Sequence, residues 1–278
     1  MRKNPPIPMM AADGGIPSAS MRISLSPVLS LRMVGPEVYV LEFRAPELAR
    51  QVLPGQFVNI KVNTLAVPLL RRPFSVYRTL GESVEILFGV AGAGTEILSR
   101  VRTGDMLDVL GPLGCSYGLE GDFETALLVG GGLGVAPFPL VTEALQRAGR
   151  TVRTFLGARS ARQIFASHLV NVEIATDDGS AGVRGTVVEL LRGALERGSD
   201  ALRRPKIFAC GPNPMLKALA ALAAEKGIAC EVSLESAMAC GIGICQGCPV
   251  ETTAGGEKKY ALICKEGTVF DTRAIEIP

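Results

Sequence analysis

Short apolar or alternating runs dominate the first hundred or so residues. VYVLEF (38–43), QFVNIKV (56–62), SVEILFGV (83–90) and MLDVL (106–110) are separated by Pro, Gly and Asp turns. Runs of strand length at close spacing, with no helical period between them, predict an antiparallel β-barrel over residues 21–120. From Ala126 the texture changes to strand followed by helix. ALLVGG (126–131), APFPLVTEALQRAG (136–149), TVRTFLGA (151–158), VNVEIATDD (170–178), RGTVVELLRGAL (184–195), PKIFACG (205–211) and MLKALAALAAEKG (215–227) alternate in the manner of a parallel, Rossmann-like α/β sheet, expected over 121–230. Residues 231–278 are short and loop-rich, a segment expected to need a metal staple.

Composition narrows the reading. With 278 residues, 47% of them apolar, and a formal net charge of +2, the chain is a multidomain globular protein with no electrostatic case for nucleic acid or an anionic membrane surface. Residues 1–20, rich in Pro, Gly, Ser and Met, lack the apolar run of a signal-peptide core and read as a flexible extension. Every apolar stretch is broken before the roughly 18 residues of a membrane span, so a cytoplasmic protein is expected. An odd number of cysteines, seven, with four crowded near the end, suits reduced, metal-bound thiols better than a disulfide framework.

Two strand ends carry dinucleotide signals. The run Ala126–Val129 enters Gly130, Gly131, Gly132, Leu133 and Gly134, glycines that permit a tight turn and let backbone N–H groups approach a pyrophosphate. The spacing departs from G-x-G-x-x-G, so a plain turn stays open. Lys206–Cys210 ends in Gly211, Pro212, Asn213 and Pro214 ahead of a helix, and in an open α/β sheet both turns would line one crevice beyond the strand ends. Cys210 could face a nicotinamide there, or be a small buried thiol. In the barrel, Arg71–Tyr77 (RRPFSVY) offers guanidinium forks and a hydroxyl to phosphate oxygens, with Phe74 and Tyr77 available to a flat ring. Gly92–Thr95 is a further glycine turn feeding a helix. His168, the only histidine, lies in SARQIFASHLV on an expected helix or its end, with no carboxylate or serine placed to make it a base.

Cys240, Cys245, Cys248 and Cys264 are spaced C-x4-C-x2-C-x15-C. The first three follow the plant-type [2Fe–2S] run, and Gly241, Gly243 and Gly247 let such a loop curl. A structural zinc is the rival, although zinc sites usually show two C-x-x-C knuckles and here there is one.

Taken in order, RRPFSVY, LFGVAGAGT, GPLG, VGGGLGVAP, FACGPNPML and SLESAMACGIGICQGC resemble the ferredoxin-reductase-like flavoproteins, and within them the electron-transfer subunits of NAD-dependent (class 1B) dihydroorotate dehydrogenases. The resemblance runs from residue 21 to the end. It implies FAD, contacted by Arg72, Pro73, Phe74, Ser75, Leu87, Phe88, Gly89, Gly94 and Thr95; NAD at Gly130, Gly131, Gly132, Gly134, Cys210, Gly211 and Pro212; and a [2Fe–2S] cluster on Cys240, Cys245, Cys248 and Cys264. Gly89 stands where relatives often carry a basic residue. Catalysis would rest on the cofactors, with no side-chain nucleophile. A (β/α)8 barrel needs about 250 residues of its own, so the resemblance implies a separate dihydroorotate-oxidising partner carrying FMN, two copies of each chain, and a place in pyrimidine synthesis. The same motifs also suit a flavin and iron–sulfur subunit of a hydrogenase or ferredoxin:NADP oxidoreductase, or a zinc-stapled interaction protein retaining the fold. Arg159 could meet a 2′-phosphate, so NAD over NADP is an expectation from the resemblance alone.

Overall fold

The computed structural model describes residues 21–63, 67–198, 202–253 and 259–278. The extension at 1–20 lies outside them. Six strands, β1 (Arg22–Gly35), β2 (Val38–Arg44), β3 (Phe57–Lys61), β4 (Arg72–Leu80), β5 (Ser83–Gly89) and β6 (Met106–Leu113), close an antiparallel barrel in the order β1-β2-β5-β4-β3-β6. Alternation sends Val58, Ile60, Phe74, Val76, Ile86, Leu107 and Val109 into one buried core. Helix α1 (Pro46–Gln51) and the short α2 (Ala93–Leu98) sit at the barrel's connections.

The second half is a seven-stranded sheet ordered β10-β9-β8-β7-β11-β12-β15, from β7 (Thr125–Gly131), β8 (Thr151–Ala158), β9 (Val172–Thr176), β10 (Val183–Arg184), β11 (Pro205–Cys210), β12 (Ala229–Ser233) and β15 (Val269–Asp271). Its central strands are apolar on both faces because helices cover both, among them α3 (Phe138–Arg147), α4 (Val187–Glu196) and α5 (Asn213–Lys226). Thr186 starts α4 with a reciprocal capping box to Glu189, and Gly227 ends α5 in the left-handed conformation.

The strands within 121–233 pair in parallel as expected, and what the sequence did not show is the one antiparallel strand that the last segment adds to their sheet. The chain leaves β12, forms the cysteine loop and the small hairpin β13 (Pro249–Glu251) and β14 (Tyr260–Leu262), then returns as β15, antiparallel to β12, with Ser233 opposite Val269. That return covers an otherwise open sheet edge. The expected helix around His168 is also absent. Ala161–Gln163 is a single 3-10 turn and His168 has φ +64, because Ile164, Phe165, Leu169 and Val170 reach the core by packing from an irregular segment.

The two halves are joined by a linker that the sheet grips. Lys206 Nζ donates to Gly118 O at 2.6 Å and to Glu231 Oε1 at 2.7 Å, while Gly118 N donates to Glu231 Oε2 at 2.8 Å. The buried Tyr117 hydroxyl donates to Ala209 O at 2.9 Å. On the far side, Ser233 Oγ donates to Thr268 Oγ1 at 3.1 Å and Thr268 to Gly55 O at 3.3 Å, linking sheet, cysteine segment and barrel.

Candidate functional site

The glycine loop sits where strand order reverses between β8 and β11, the usual crevice of an open α/β sheet. Gly130 and Gly131 end β7, and Gly132–Val135 form a 3-10 turn leading towards α3. A Cβ on Gly134 would lie 2.3 Å from Cys210 O, so only glycine lets this turn close on the end of β11. Gly131 in turn approaches Pro212 and Met215, bringing Gly131, Gly134, Cys210, Gly211 and Pro212 together. Beside Gly132 a groove of about 450 Å³ opens, lined by Pro36, Val38 and Leu133 on one side and by Arg159, Ser160, Arg162, Gln163 and Phe165 on the other.

Cys210 is 3% exposed, and burial, followed by the nearby Glu235 charge, pushes its thiol well above the ordinary range. A neutral thiol there can pack or donate weakly, and is no nucleophile. Burial likewise holds the Tyr117 phenol protonated.

On the barrel, Arg72 lies against the start of α2. Its Nε is 2.7 Å from where a Cβ on Gly94 would stand, so guanidinium and helix-start backbone are brought together as a pair of anion-binding groups. Arg71, its neighbour, is taken by the barrel itself through Asp108 Oδ1 at 2.9 Å and Asp108 O at 2.9 Å. Thr95 spends its hydroxyl on its own turn, accepting from Ala91 N at 2.8 Å and donating to Gly92 O at 3.0 Å. Phe74 and Phe88 point into the barrel, their rings 5.7 Å apart and tilted by 60°. Ser75 and Pro73 are left half-exposed on the outer face of β4, while Leu87 is buried and Gly89 abuts Leu133 of the glycine loop. Tyr77 is buried with its ring edge towards His168.

The four cysteines fall on one loop and one following turn. Cys240 is half-buried, Cys245 exposed, Cys248 and Cys264 buried. Backbone N–H groups point at sulfur: Gly243 N to Cys264 Sγ at 3.1 Å, Cys245 N to Cys240 Sγ at 3.4 Å, and Cys264 N to Cys248 Sγ at 3.4 Å. Burial would raise Cys240, but the N–H groups of Cys245 and Ile242 outweigh it and bring the thiol down to about 6. Burial and then the adjoining Cys248 thiol push Cys264 up to about 12.

The thiols influence one another: Cys248 and, more weakly, Cys240 act on Cys264, and Cys245 acts on Cys240. Among the described residues no three His, Cys, Asp or Glu side chains gather as around a single ion. Four soft thiol ligands with backbone amides turned towards sulfur are suited to an iron–sulfur cluster.

Sequence reasoning missed Asn59. It lies on β3 opposite Pro73 of β4, fully buried, and its Nδ2 donates to Cys240 O at 3.3 Å. A Cβ on Gly241, whose φ is +72, would fall 2.4 Å from that same amide nitrogen. The cysteine loop is thus seated on the barrel one strand away from Pro73 and Ser75.

Known proteins resemble this chain along most of its length. A protein of Desulforamulus reducens described as dihydroorotate dehydrogenase B (NAD(+)), electron transfer subunit, is 38% identical over 250 residues, which cover 87% of this chain and 94% of that one. This chain belongs to that family. The electron transfer subunit of Bacillus pumilus is 35% identical over 258 residues, covering 90% and 96% of the two chains. Residues 235–276 match the family model for the iron–sulfur cluster binding domain of dihydroorotate dehydrogenase B, the stretch that holds all four cysteines. Among solved structures, the NADH-dependent reduced ferredoxin-NADP oxidoreductase superposes with a TM-score of 0.81 at 27% identity, covering 91% of this chain and 90% of that one. The ferredoxin reductase of carbazole 1,9a-dioxygenase, at 0.63 and 23% identity over 76% of this chain and 68% of that one, shares the fold. This chain joins a β-barrel to a mainly parallel sheet. Among its described residues no helix is long and apolar enough to cross a membrane.

Proposed function

We propose that this chain is the electron-transferring half of an NAD-linked dihydroorotate dehydrogenase in pyrimidine synthesis. It is an oxidoreductase subunit that relays electrons from a dihydroorotate-oxidising partner to NAD⁺ and uses FAD and a [2Fe–2S] cluster. The observation that carries this reading is identity of 35 to 38% with such subunits along nearly the whole chain, cysteine segment included. Nicotinamide and flavin supply two-electron exchange and the cluster one-electron exchange, which makes the set a converter between the two.

Within that function each group of residues has an assigned task. Cys240, Cys245, Cys248 and Cys264 hold the cluster, with the amides of Gly243, Cys245 and Cys264 stabilising charge on sulfur. Arg72 and the first turn of α2 bind the flavin's phosphates, and Pro73 and Ser75 present the outer face of β4 to it. Gly131, Gly132, Gly134, Gly211 and Pro212 admit the nicotinamide dinucleotide close to backbone, while Cys210 stays a neutral thiol beside it. Residues 21–120, 121–230 and 231–278 are proposed as the FAD, NAD and cluster units, FMN as the partner's cofactor, and two copies of each chain as the assembly.

The likeness to the ferredoxin-NADP oxidoreductase supports a second reading, a ferredoxin-linked flavoprotein subunit. Dihydroorotate-dependent reduction of NAD⁺, measured anaerobically on the native complex captured through this chain, separates them. Steady reduction is expected. A preparation loaded with FAD and cluster that reduces no NAD⁺ from dihydroorotate overturns the first reading in favour of the second.

A further inference from the structure

The outer face of the barrel at β1 and β6 is apolar where it should be polar. Ile23 is 64% exposed, Leu25 70% and Met106 56%. Pairing sets Ile23 opposite Leu110, Leu25 opposite Asp108 and Pro27 opposite Met106, while Ser26, Val28, Leu107 and Val109 fill the interior. Ile23, Leu25, Pro27 and Met106 therefore share one outward face. A solvated antiparallel face normally alternates with polar residues outward, and a contiguous apolar patch on a stable protein marks an interaction site.

Register ties this patch to the cysteine loop. Leu110, opposite Ile23, is also paired with Asn59 of β3, whose amide holds Cys240 O. With neighbouring strands about 4.8 Å apart, Ile23 lies roughly 10 Å from Asn59 along this row. Leu110 is buried there in the same core as Cys248 and Cys264, against which Ile242 packs. Beyond that cover the loop exposes Cys245, and Ile244 at 77%. The Arg71–Asp108 ion pair supplies a polar border beside Leu25.

We propose that Ile23, Leu25 and Met106, together with Ile244, form the docking face for the dihydroorotate-oxidising partner subunit. The assignment rests on the function proposed above and names where that partner sits. A protein exchanging electrons with the cluster must cover the loop carrying Cys245, and whatever covers it meets an apolar patch that begins about 10 Å from its anchor. Apolar centre and charged border match the anatomy of a specific interface.

The test uses the full-length chain co-expressed with its partner, comparing wild type with the double variant Leu25→Glu/Met106→Glu. Both side chains point to solvent, so the fold is retained; FAD content and NADH-dependent dye reduction by the chain alone check this without the partner. Expected are loss of co-elution and a more than tenfold fall in dihydroorotate-dependent NAD⁺ reduction at submicromolar subunit concentration, with dye reduction unchanged. Val183→Glu, at another exposed apolar position on the far edge of the sheet, should leave the complex whole. A double variant that co-elutes and turns over like wild type overturns the proposal. So does a double variant that only converts a self-associated chain to monomer, which would assign the face to a second copy. A wild-type complex unable to oxidise dihydroorotate sinks the functional reading and this face with it; a competent wild-type complex left intact by the variant sinks the face alone.

Discussion

Replacing Gly241 by alanine tests how the cysteine loop is seated. At φ +72 an alanine pays about 1–2 kcal/mol for the left-handed conformation. Its Cβ would stand 2.4 Å from Asn59 Nδ2, so the amide must move and give up its bond to Cys240 O, about another 1 kcal/mol. Together these shift the balance between seated and released loop by about 2–3 kcal/mol, or roughly 30- to 150-fold. The assay is the anaerobic rate at which a chelator strips iron from purified protein, with FAD content followed in the same sample. Gly241→Ala should release iron faster by up to that factor and keep its FAD, since Arg72 and α2 are untouched. The second variant, Asn59→Ala, isolates the collision. In Gly241→Ala/Asn59→Ala the clash is gone and the hydrogen bond is already lost, so only backbone strain should be added to the effect of Asn59→Ala. The two substitutions are then less than additive. Equal release rates in wild type and Gly241→Ala, or full additivity in the pair, would refute the seating of the loop on Asn59.

Arg72→Ala should lower FAD retained through gel filtration severalfold while iron content stays level, because the guanidinium lies beside Gly94 and makes no hydrogen bond to the cysteine loop among the described residues. Lys206→Met leaves Glu231 and Gly118 without their shared cation; with both partners of the ion pair less than a fifth exposed, a loss of roughly 2–3 kcal/mol in denaturant stability is expected, below the full value for a wholly buried pair. His168 is held below its usual 6.5 by burial and by Arg78, its 3.1 Å neighbour. The unfolded chain therefore takes up this proton first, so the contribution of the contact is complete above pH 6.5 and falls as pH drops from there towards the lowered folded value. His168→Gln should flatten that part of the thermal stability profile between pH 7 and 5, and an unchanged slope would count against the contact.

Much of this site was legible because its demands are local. Gly130–Gly134 announces a tight turn after a strand whatever surrounds it, and the cysteine spacing specifies its own loop. The parts that were not legible depend on pairing between distant residues. Asn59 reads as an ordinary strand position until β3 is laid against the cysteine loop. Arg71 and Arg72 are indistinguishable in sequence, and only the structure shows that Arg71 pairs with the cross-strand Asp108 while Arg72 donates to Leu70 O and lies beside Gly94. Phe74 looked available to a flat ring, yet strand parity turns it inward onto Phe88. His168 was expected on a helix or its end, but an irregular segment buries the neighbouring apolar residues instead. That the final segment returns to the sheet was not legible either, because the pairing of Val269–Asp271 with β12 joins residues more than thirty positions apart.

That shared strand bears on how the cysteine segment is closed. Ser233 and Val269 are paired across β12 and β15, so everything from 234 to 268 is an excursion whose two ends are already fastened to each other. Strand pairing thus shares the work of closing this loop with whatever the four thiols bind. The four thiols are therefore carried on a segment whose two ends the sheet holds side by side, so the reach of the cysteine loop is set by strand register as well as by its own sequence.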